Sequence, residues 1–352
     1  MSCTQTDIDA INCRLKAIED NQDTMWETLY SDTDPYVLFY AGDIGNGNDH
    51  APTQALADYL NAQLEEIGNE KFLGFIACGD LAYPSNDPAY WDAGLLPFNT
   101  LIFQEKYFPV LGNHDLDGEY VAQFLSKFNY LPLNAPTVDS MKRNYYLDFR
   151  SKIGTIVFCF DTVYKTTGST TGSPPVGILV IDPTSLPIAN QKIWFYDSID
   201  NLKDGLSSVT AVIHHPFCSV EDGPVMNRDY MPSWDLEFAE NAIPFLVNGH
   251  SHNTSRITKR KDVDEHNRTE ILNASAFGGV SSPRNAGDIV APATLDYTYT
   301  ERYVNDMDYM VIKMEYYKTK IVTSFIQIHD GGVGEQNNYS KHSFVSPLNQ
   351  ML

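Results

Sequence analysis

Positive charge is scarce in this sequence. Its 352 residues carry 24 Lys and Arg against 46 Asp and Glu, a formal net charge of −22. Such a chain repels polyanions, which argues against a general affinity for nucleic acid or anionic membranes. Cysteine is sparse as well. Cys3, Cys13, Cys78, Cys159 and Cys218 are scattered, odd in number and without a C-x-x-C pair, which argues against a disulfide framework or a zinc–thiolate site. Cys78 and Cys159 lie in apolar runs and read as core residues. No run approaches the roughly 18 consecutive apolar residues that cross a bilayer. The opening MSCTQTDIDAINCRL lacks the basic start and apolar core of a secretory signal. No signal peptide or transmembrane segment is therefore visible, and the compartment stays open between soluble and part of a larger particle. Four N-x-S/T sequons begin at Asn253, Asn267, Asn273 and Asn338, and without evidence of secretion they carry little weight.

What is present is ordinary for a globular chain: 43% hydrophobic and 20% charged residues. The length suits one large α/β domain or two modest ones. Residues 1–30 stand apart. Ile8, Ile11, Leu15, Ile18, Gln22, Met25 and Leu29 alternate spacings of three and four, the a/d pattern of a heptad repeat. Thr6 caps the expected helix, and Asp7 and Asp9 suit its positive end. Arg14 at g and Glu19 at the next e would bridge neighbouring strands, and Ile at d favours a trimer over a dimer. A homo-oligomer through these heptads is one expectation; an amphipathic helix lying on its own domain is the other. Residues 31–35 (SDTDP) read as a linker, and a single domain follows over 36–352.

From residue 36, strands alternate with helices. Apolar runs predict strands over 36–41, 72–78, 107–111, 153–160, 208–213 and 244–248. Helical spacing predicts helices over 52–67 and 190–202. Strands 310–316 and 320–328 read as a closing hairpin. Residues 165–187 and 277–300 are rich in Gly, Ser, Thr and Pro and are expected to be long loops. These residues alone support an alternating α/β domain with a mixed sheet.

Polar motifs follow the strand ends, where open α/β sheets bind ligands. They are Gly42-Asp43-Ile44-Gly45, Gly79-Asp80-Leu81-Ala82-Tyr83, Gly112-Asn113-His114-Asp115, His214-His215-Pro216 and Gly249-His250-Ser251-His252. Singly, an Asp there caps a helix and a His is a structural hydrogen-bonder. Together they gather carboxylates, imidazoles, an amide and a phenol at one rim, and the glycines allow close backbone approach. With no thiolate, structural zinc and iron–sulfur readings drop away. Mixed O and N donors around a shared carboxylate suit two metals about 3.5–4 Å apart, a pair that activates water and clamps displacement at phosphorus.

The series D-x-G, G-D-x-x-Y, G-N-H-D, H-x-P and G-H-x-H, in this order, resembles the calcineurin-like metallophosphoesterase superfamily, and within it the purple acid phosphatase branch. Gly45 stands where most of the superfamily has a metal-binding histidine, and Tyr83 stands where the purple enzymes place a tyrosinate. The resemblance covers about residues 36–330. It implies a four-layer α/β/β/α sandwich and hydrolysis of a phosphomonoester by a metal-held hydroxide. Asp43, Tyr83 and His252 would hold Fe(III). Asn113, His214 and His250 would hold a divalent ion (Fe, Zn or Mn), and Asp80 would bridge the two. His114 would contact the phosphate or protonate the leaving oxygen. His215, His50 and Asn253 are further candidate substrate contacts.

Two departures qualify this. The fourth motif reads Ala211-Val212-Ile213-His214 instead of V-x-x-H. His214 is the expected ligand because Pro216 completes H-x-P, and side-chain alternation along a strand keeps His215 from facing the metals as well. A second histidine, some nine residues further on in mammalian-type enzymes, is missing from Ser219-Val220-Glu221-Asp222-Gly223-Pro224. Two alternatives stand beside the phosphomonoesterase: a phosphodiesterase acting on nucleotides, and a structural or particle-attached protein that retained the metal-bound domain.

Overall fold

The most apolar segments form the central strands. The computed structural model describes residues 34–45, 51–82, 88–116, 127–135, 144–161, 164–165, 180–181, 188–216, 219–220, 244–252, 254–261, 268–274, 289–290, 297–305, 309–318, 320–328 and 342–347. The expected heptad helix over 1–30, and any oligomer it would build, lies outside these residues.

β1 (Tyr36–Ala41), β2 (Phe72–Cys78) and β3 (Tyr107–Val110) lie parallel and buried along almost their whole length. β15 (Met310–Tyr316) pairs antiparallel with β1, then β16 (Lys320–Gln327) and β17 (His342–Pro347) continue the sheet. Its order is β17-β16-β15-β1-β2-β3. The hairpin expected over 310–328 is thus present, and β17, from beyond the stretch that the resemblance covers, extends it.

The second sheet has the order β14-β11-β12-β10-β8-β5-β4. Its parallel centre is β5 (Thr155–Cys159), β8 (Ser208–Ile213), β10 (Phe245–Asn248) and β12 (Arg268–Ala274). β4 (Tyr145–Phe149), β11 (Thr254–Lys261) and β14 (Tyr297–Asn305) flank it antiparallel. Two short ladders pair β6 (Tyr164–Lys165) with β7 (Val180–Ile181), and β9 (Ser219–Val220) with β13 (Ile289–Val290). The segments expected as loops over 165–187 and 277–300 therefore contribute β7, β13 and the start of β14. The strand expected over 153–160 begins later, because Arg150–Ile153 forms a helical turn. Gly154 closes that turn at φ 65° with its N–H on the Arg150 carbonyl, a left-handed cap that suits glycine.

The layers follow from alternation of side chains along the strands. Val157, Cys159, Val212, Val247 and Leu272 of the second sheet join one buried core with residues of the first. Ile156, Phe158, Val209, Ala211 and Ile213 face the other way, against Trp194 and Phe195 of the helix Ile188–Leu202. The Phe158 and Phe195 rings meet edge to face at 4.7 Å, a preferred aromatic geometry. On the first sheet, the helix Ala51–Ile67 buries Leu56, Tyr59, Leu60 and Leu64, and Tyr59 meets Phe39 edge to face. Each such buried side chain contributes about 1.5–3 kcal/mol. The result is helix, sheet, sheet, helix: the four-layer α/β/β/α sandwich. No helix among the described residues is long and apolar enough to cross a membrane.

Candidate metal centre

Parallel strands point their carboxyl ends the same way, so the two sheets bring five loops to one rim. β1, β2 and β3 lead to Asp43, Asp80 and Asn113; β8 leads to His214; β10 leads to His250 and His252. Backbone bonds stitch the loops together. The Gly42 N–H donates to the Ala274 carbonyl at the end of β12, joining the sheets. Asp43 N–H donates to Gly79 O at 2.9 Å, and Gly249 N–H to His214 O at 3.0 Å.

Strain concentrates here. Asp43 (φ 58°), Asp80 (φ 52°), His250 (φ 70°) and His252 (φ 51°) all hold left-handed backbone. Residues with side chains adopt that conformation at a cost of about 1–3 kcal/mol each, and such residues cluster at functional sites. Two glycines show why the loops tolerate no side chain. A Cβ on Gly79 would lie 2.2 Å from His214 Nδ1, and one on Gly112 would lie 2.1 Å from Asp80 Oδ1.

The donors converge on one atom. His214 is fully buried, and its Nδ1 lies 2.9 Å from the Cys78 carbonyl oxygen. A carbonyl only accepts, so Nδ1 carries the proton and Nε2 turns inward. Around Nε2 stand Asn113 Oδ1 at 3.1 Å, His250 Nδ1 at 3.2 Å and Asp80 Oδ1 at 3.4 Å. On the other side, His252 Nε2 lies 3.4 Å from Asp43 Oδ1. Both carboxylates are oriented by backbone donors: His250 N–H to Asp43 Oδ2 at 2.8 Å, and His114 N–H to Asp80 Oδ1 at 3.0 Å.

Titration reflects this crowding. Burial opposes charge on Asp80, but the His214 imidazole beside it, with smaller help from His114 and His250, holds its carboxyl well below the usual range. Burial likewise opposes charge on His214, yet Asp80 and then Asp43 raise it to about 9. Burial, with His215 and His214 nearby, pushes His250 well below the ordinary histidine value. The site thus attracts one positive charge at His214 Nε2, where lone pairs outnumber protons.

That arrangement fits metal ions. Asp43, Asp80 and His214 form one group able to hold a cation, and His214, His215 and His250 form another, each with donor atoms within 4.8 Å of one another. The groups share His214, and the donors are the oxygens and imidazoles that a borderline divalent or ferric ion takes.

The structure brings together Asp43, Asp80, Asn113, His114, His214, His250 and His252. Tyr83, His50 and Asn253 lie outside the described residues. Strand alternation does not govern His215, a candidate substrate contact, because β8 ends at Ile213 and both histidines lie in the bend beyond it. The His215 ring centroid is 4.9 Å from that of His214 and 4.5 Å from that of His250.

Sequence reasoning passed over two supports. The motif reading assigns Asp115 no role. Fully buried, it accepts N–H bonds from Leu81 and Ala82 at 2.8 Å and from Gly112 at 2.7 Å. It thereby fastens the loop carrying Asp80 to the loop carrying Asn113, and its place beside two strand-end loops was the available signal. Asn273 was read only as a sequon. It is fully buried, accepting from Asn248 Nδ2 and donating to Ser255 Oγ, so in the folded chain it has no room for a glycan. Asn248 directly precedes Gly249-His250, so this amide chain backs the second histidine loop.

A two-sheet sandwich with oxygen and nitrogen donors at the strand ends defines a metallophosphoesterase. The calcineurin-like phosphoesterase family model matches residues 42–254. The chain belongs to that family, whose members act on phosphoester bonds and typically bind two metal ions. Among solved structures it is similar to a purple acid phosphatase from yellow lupin (Lupinus luteus) seeds. That match is 14% identical, has a TM-score of 0.56, and covers 88% of this chain and 53% of the other. It is also similar to a dimetal phosphatase from Danio rerio, 10% identical with a TM-score of 0.54, covering 90% of this chain and 100% of the other. This chain spans about half the length of the lupin protein. At these identities the likeness is one of fold. No curated protein matches the chain.

Proposed function

We propose that this chain is a binuclear phosphomonoesterase of the purple acid phosphatase kind. The observation that carries the reading is the convergence of Asn113 Oδ1, His250 Nδ1 and Asp80 Oδ1 on His214 Nε2 within 3.4 Å. These four residues would hold the divalent ion. Asp43, His252 and Tyr83 would hold ferric iron, with Asp80 shared. A second set of donors, Asp43 Oδ1 and His252 Nε2 3.4 Å apart, with Asp43 grouped beside Asp80, supports a pair.

Bound there, such a pair supplies Lewis acidity and water of near-neutral pKa. The chain's residues do the rest. Asp80 and Asp43, oriented by backbone N–H donors, keep their remaining lone pairs aimed into the centre. His114 is half-buried at the rim, close enough to Asp80 to lower its pKa. There it can bind a phosphate oxygen or donate a proton to the leaving group. A chain of charge −22 repels a phosphate anion at long range, so attraction must come from the centre itself.

The visible absorption spectrum of metal-replete protein tests the reading. A tyrosinate–iron band lost on Tyr83→Phe supports it; a colourless protein with turnover would replace the ferric assignment by a Zn or Mn pair. Faster turnover of bis-nitrophenyl than of mono-nitrophenyl phosphate would favour the diester alternative. Turnover equal to that of Asn113→Ala would favour the structural one.

A further inference from the structure

We propose that His215 is an additional ligand of the divalent ion, so that three imidazoles face that ion where the family resemblance implies two. This rests on the binuclear reading above and names a donor beyond its seven residues.

The backbone explains how His215 reaches the centre. Along β8, Val209, Ala211 and Ile213 face the outer core, and strand continuation would send residue 215 the same way. The strand stops at Ile213 instead. Gly249 N–H holds the His214 carbonyl at 3.0 Å, and Pro216 keeps the residue before it out of helical backbone. The chain bends, and the His215 ring comes to lie against His250, 35 positions away in sequence, at 4.5 Å between centroids. It also meets the His214 ring edge-on, at an interplanar angle of 80°.

One nitrogen from each of His214, His215 and His250 falls within 4.8 Å of the other two. An ion with bonds of about 2.1 Å spans donors up to about 4.2 Å apart, so small ring rotations bring all three to one ion. His214 and His250 are already as close as 3.2 Å. With Asp80 and Asn113 the ion would have five protein donors. His215 is half-buried, and so stands on the side open to solvent. Three imidazoles move the site's preference toward zinc, cobalt, nickel or iron and away from magnesium and manganese, which favour oxygen.

Co²⁺ titration of the chelator-stripped full chain, followed by calorimetry and by visible d–d absorption, tests this. Wild type is expected to bind two Co²⁺ per chain. His215→Ala and His215→Gln should bind the more weakly held ion at least about tenfold less tightly, the lower end of what even outer-shell losses cost. Their d–d bands should change in intensity, and the preference for Co²⁺ over Mn²⁺ should shrink. Unchanged circular dichroism and melting of the stripped variants separates this from misfolding; in a variant that fails that check, the other decides. Two Co²⁺ bound by both variants with wild-type affinity and spectrum would overturn the proposal. That holds also if KM for a phosphomonoester rises, a result that would assign His215 to the substrate. No Co²⁺ bound by wild type would overturn the binuclear reading itself.

Discussion

The loops after β1, β2 and β3 offer oxygen: the carboxylates of Asp43 and Asp80 and the amide of Asn113. The loops after β8 and β10 offer nitrogen: His214, His215, His250 and His252. One sheet thus supplies the hard, anionic half of the centre and the other the softer, imidazole half. Neither is a site alone. Two buried carboxylates with no imidazoles would be forced to take up protons, and a cluster of neutral imidazoles can ligate an ion but brings no negative charge to offset a second one. The difference teaches that the sandwich is the functional unit: docking one sheet on the other assembles the donor set. The Gly42–Ala274 bond across the sheets lies at that seam.

The largest expected break comes from Asp80, the carboxylate beside His214 Nε2. Asp80→Asn keeps the shape but removes the charge that the nitrogen half needs. Phosphatase activity should fall by more than about a hundredfold, beyond the range for outer partners, in a steady-state assay with nitrophenyl phosphate. Gly249→Ala attacks the seam from the nitrogen side. Its Cβ would lie 2.2 Å from the Cys78 carbonyl oxygen and 2.9 Å from His214 Nδ1. Overpacking of this kind costs about 1–3 kcal/mol, to be read from urea denaturation. Asp115→Asn sharpens the comparison on the oxygen side. It disturbs the three backbone N–H bonds that join the Asp80 and Asn113 loops, a loss of about 1–3 kcal/mol, and should lower metal affinity without altering the nitrogen donors. Asn273→Ala is its counterpart behind His250, with a smaller loss of about 1 kcal/mol in the same denaturation assay.

The smallest effect is on pH. Without metal, His214 sits at about 9 in the folded chain against 6.5 for the ordinary side chain. A raised value means its stabilisation is full below pH 6.5 and is lost as pH rises through about 9. Asp80 is shifted downward, so its contribution is present above the usual carboxylate range and fades as pH falls below it. The urea midpoint of stripped protein should therefore decline from pH 6.5 to 9.5. Asp80→Asn should flatten that slope, since it removes the charge that raises His214.

How far the sequence foretold this also differs between the sheets. β1, β2 and β3 are short apolar runs ending in Gly-Asp or Gly-Asn motifs, and their ends matched expectation to within a residue. In the second sheet, β5, β8 and β10 were legible for the same reason. β11 (TSRITKRK) and β14 (YTYTERYVN) were not, because flanking antiparallel strands mix polar and apolar residues and lack a continuous hydrophobic run. At His215 side-chain alternation was no guide, because the residue lies in the bend beyond the strand end at Ile213. Asp115 and Asn273 escaped notice because their partners are backbone groups and amides from other loops, which only the folded chain brings near.

Elemental analysis of the reconstituted chain, wild type beside Asp80→Asn, tests the two-sheet centre most directly. The account predicts two metal ions per wild-type chain and no more than one in the variant. Wild type without bound metal, or a variant that keeps both ions, would contradict it.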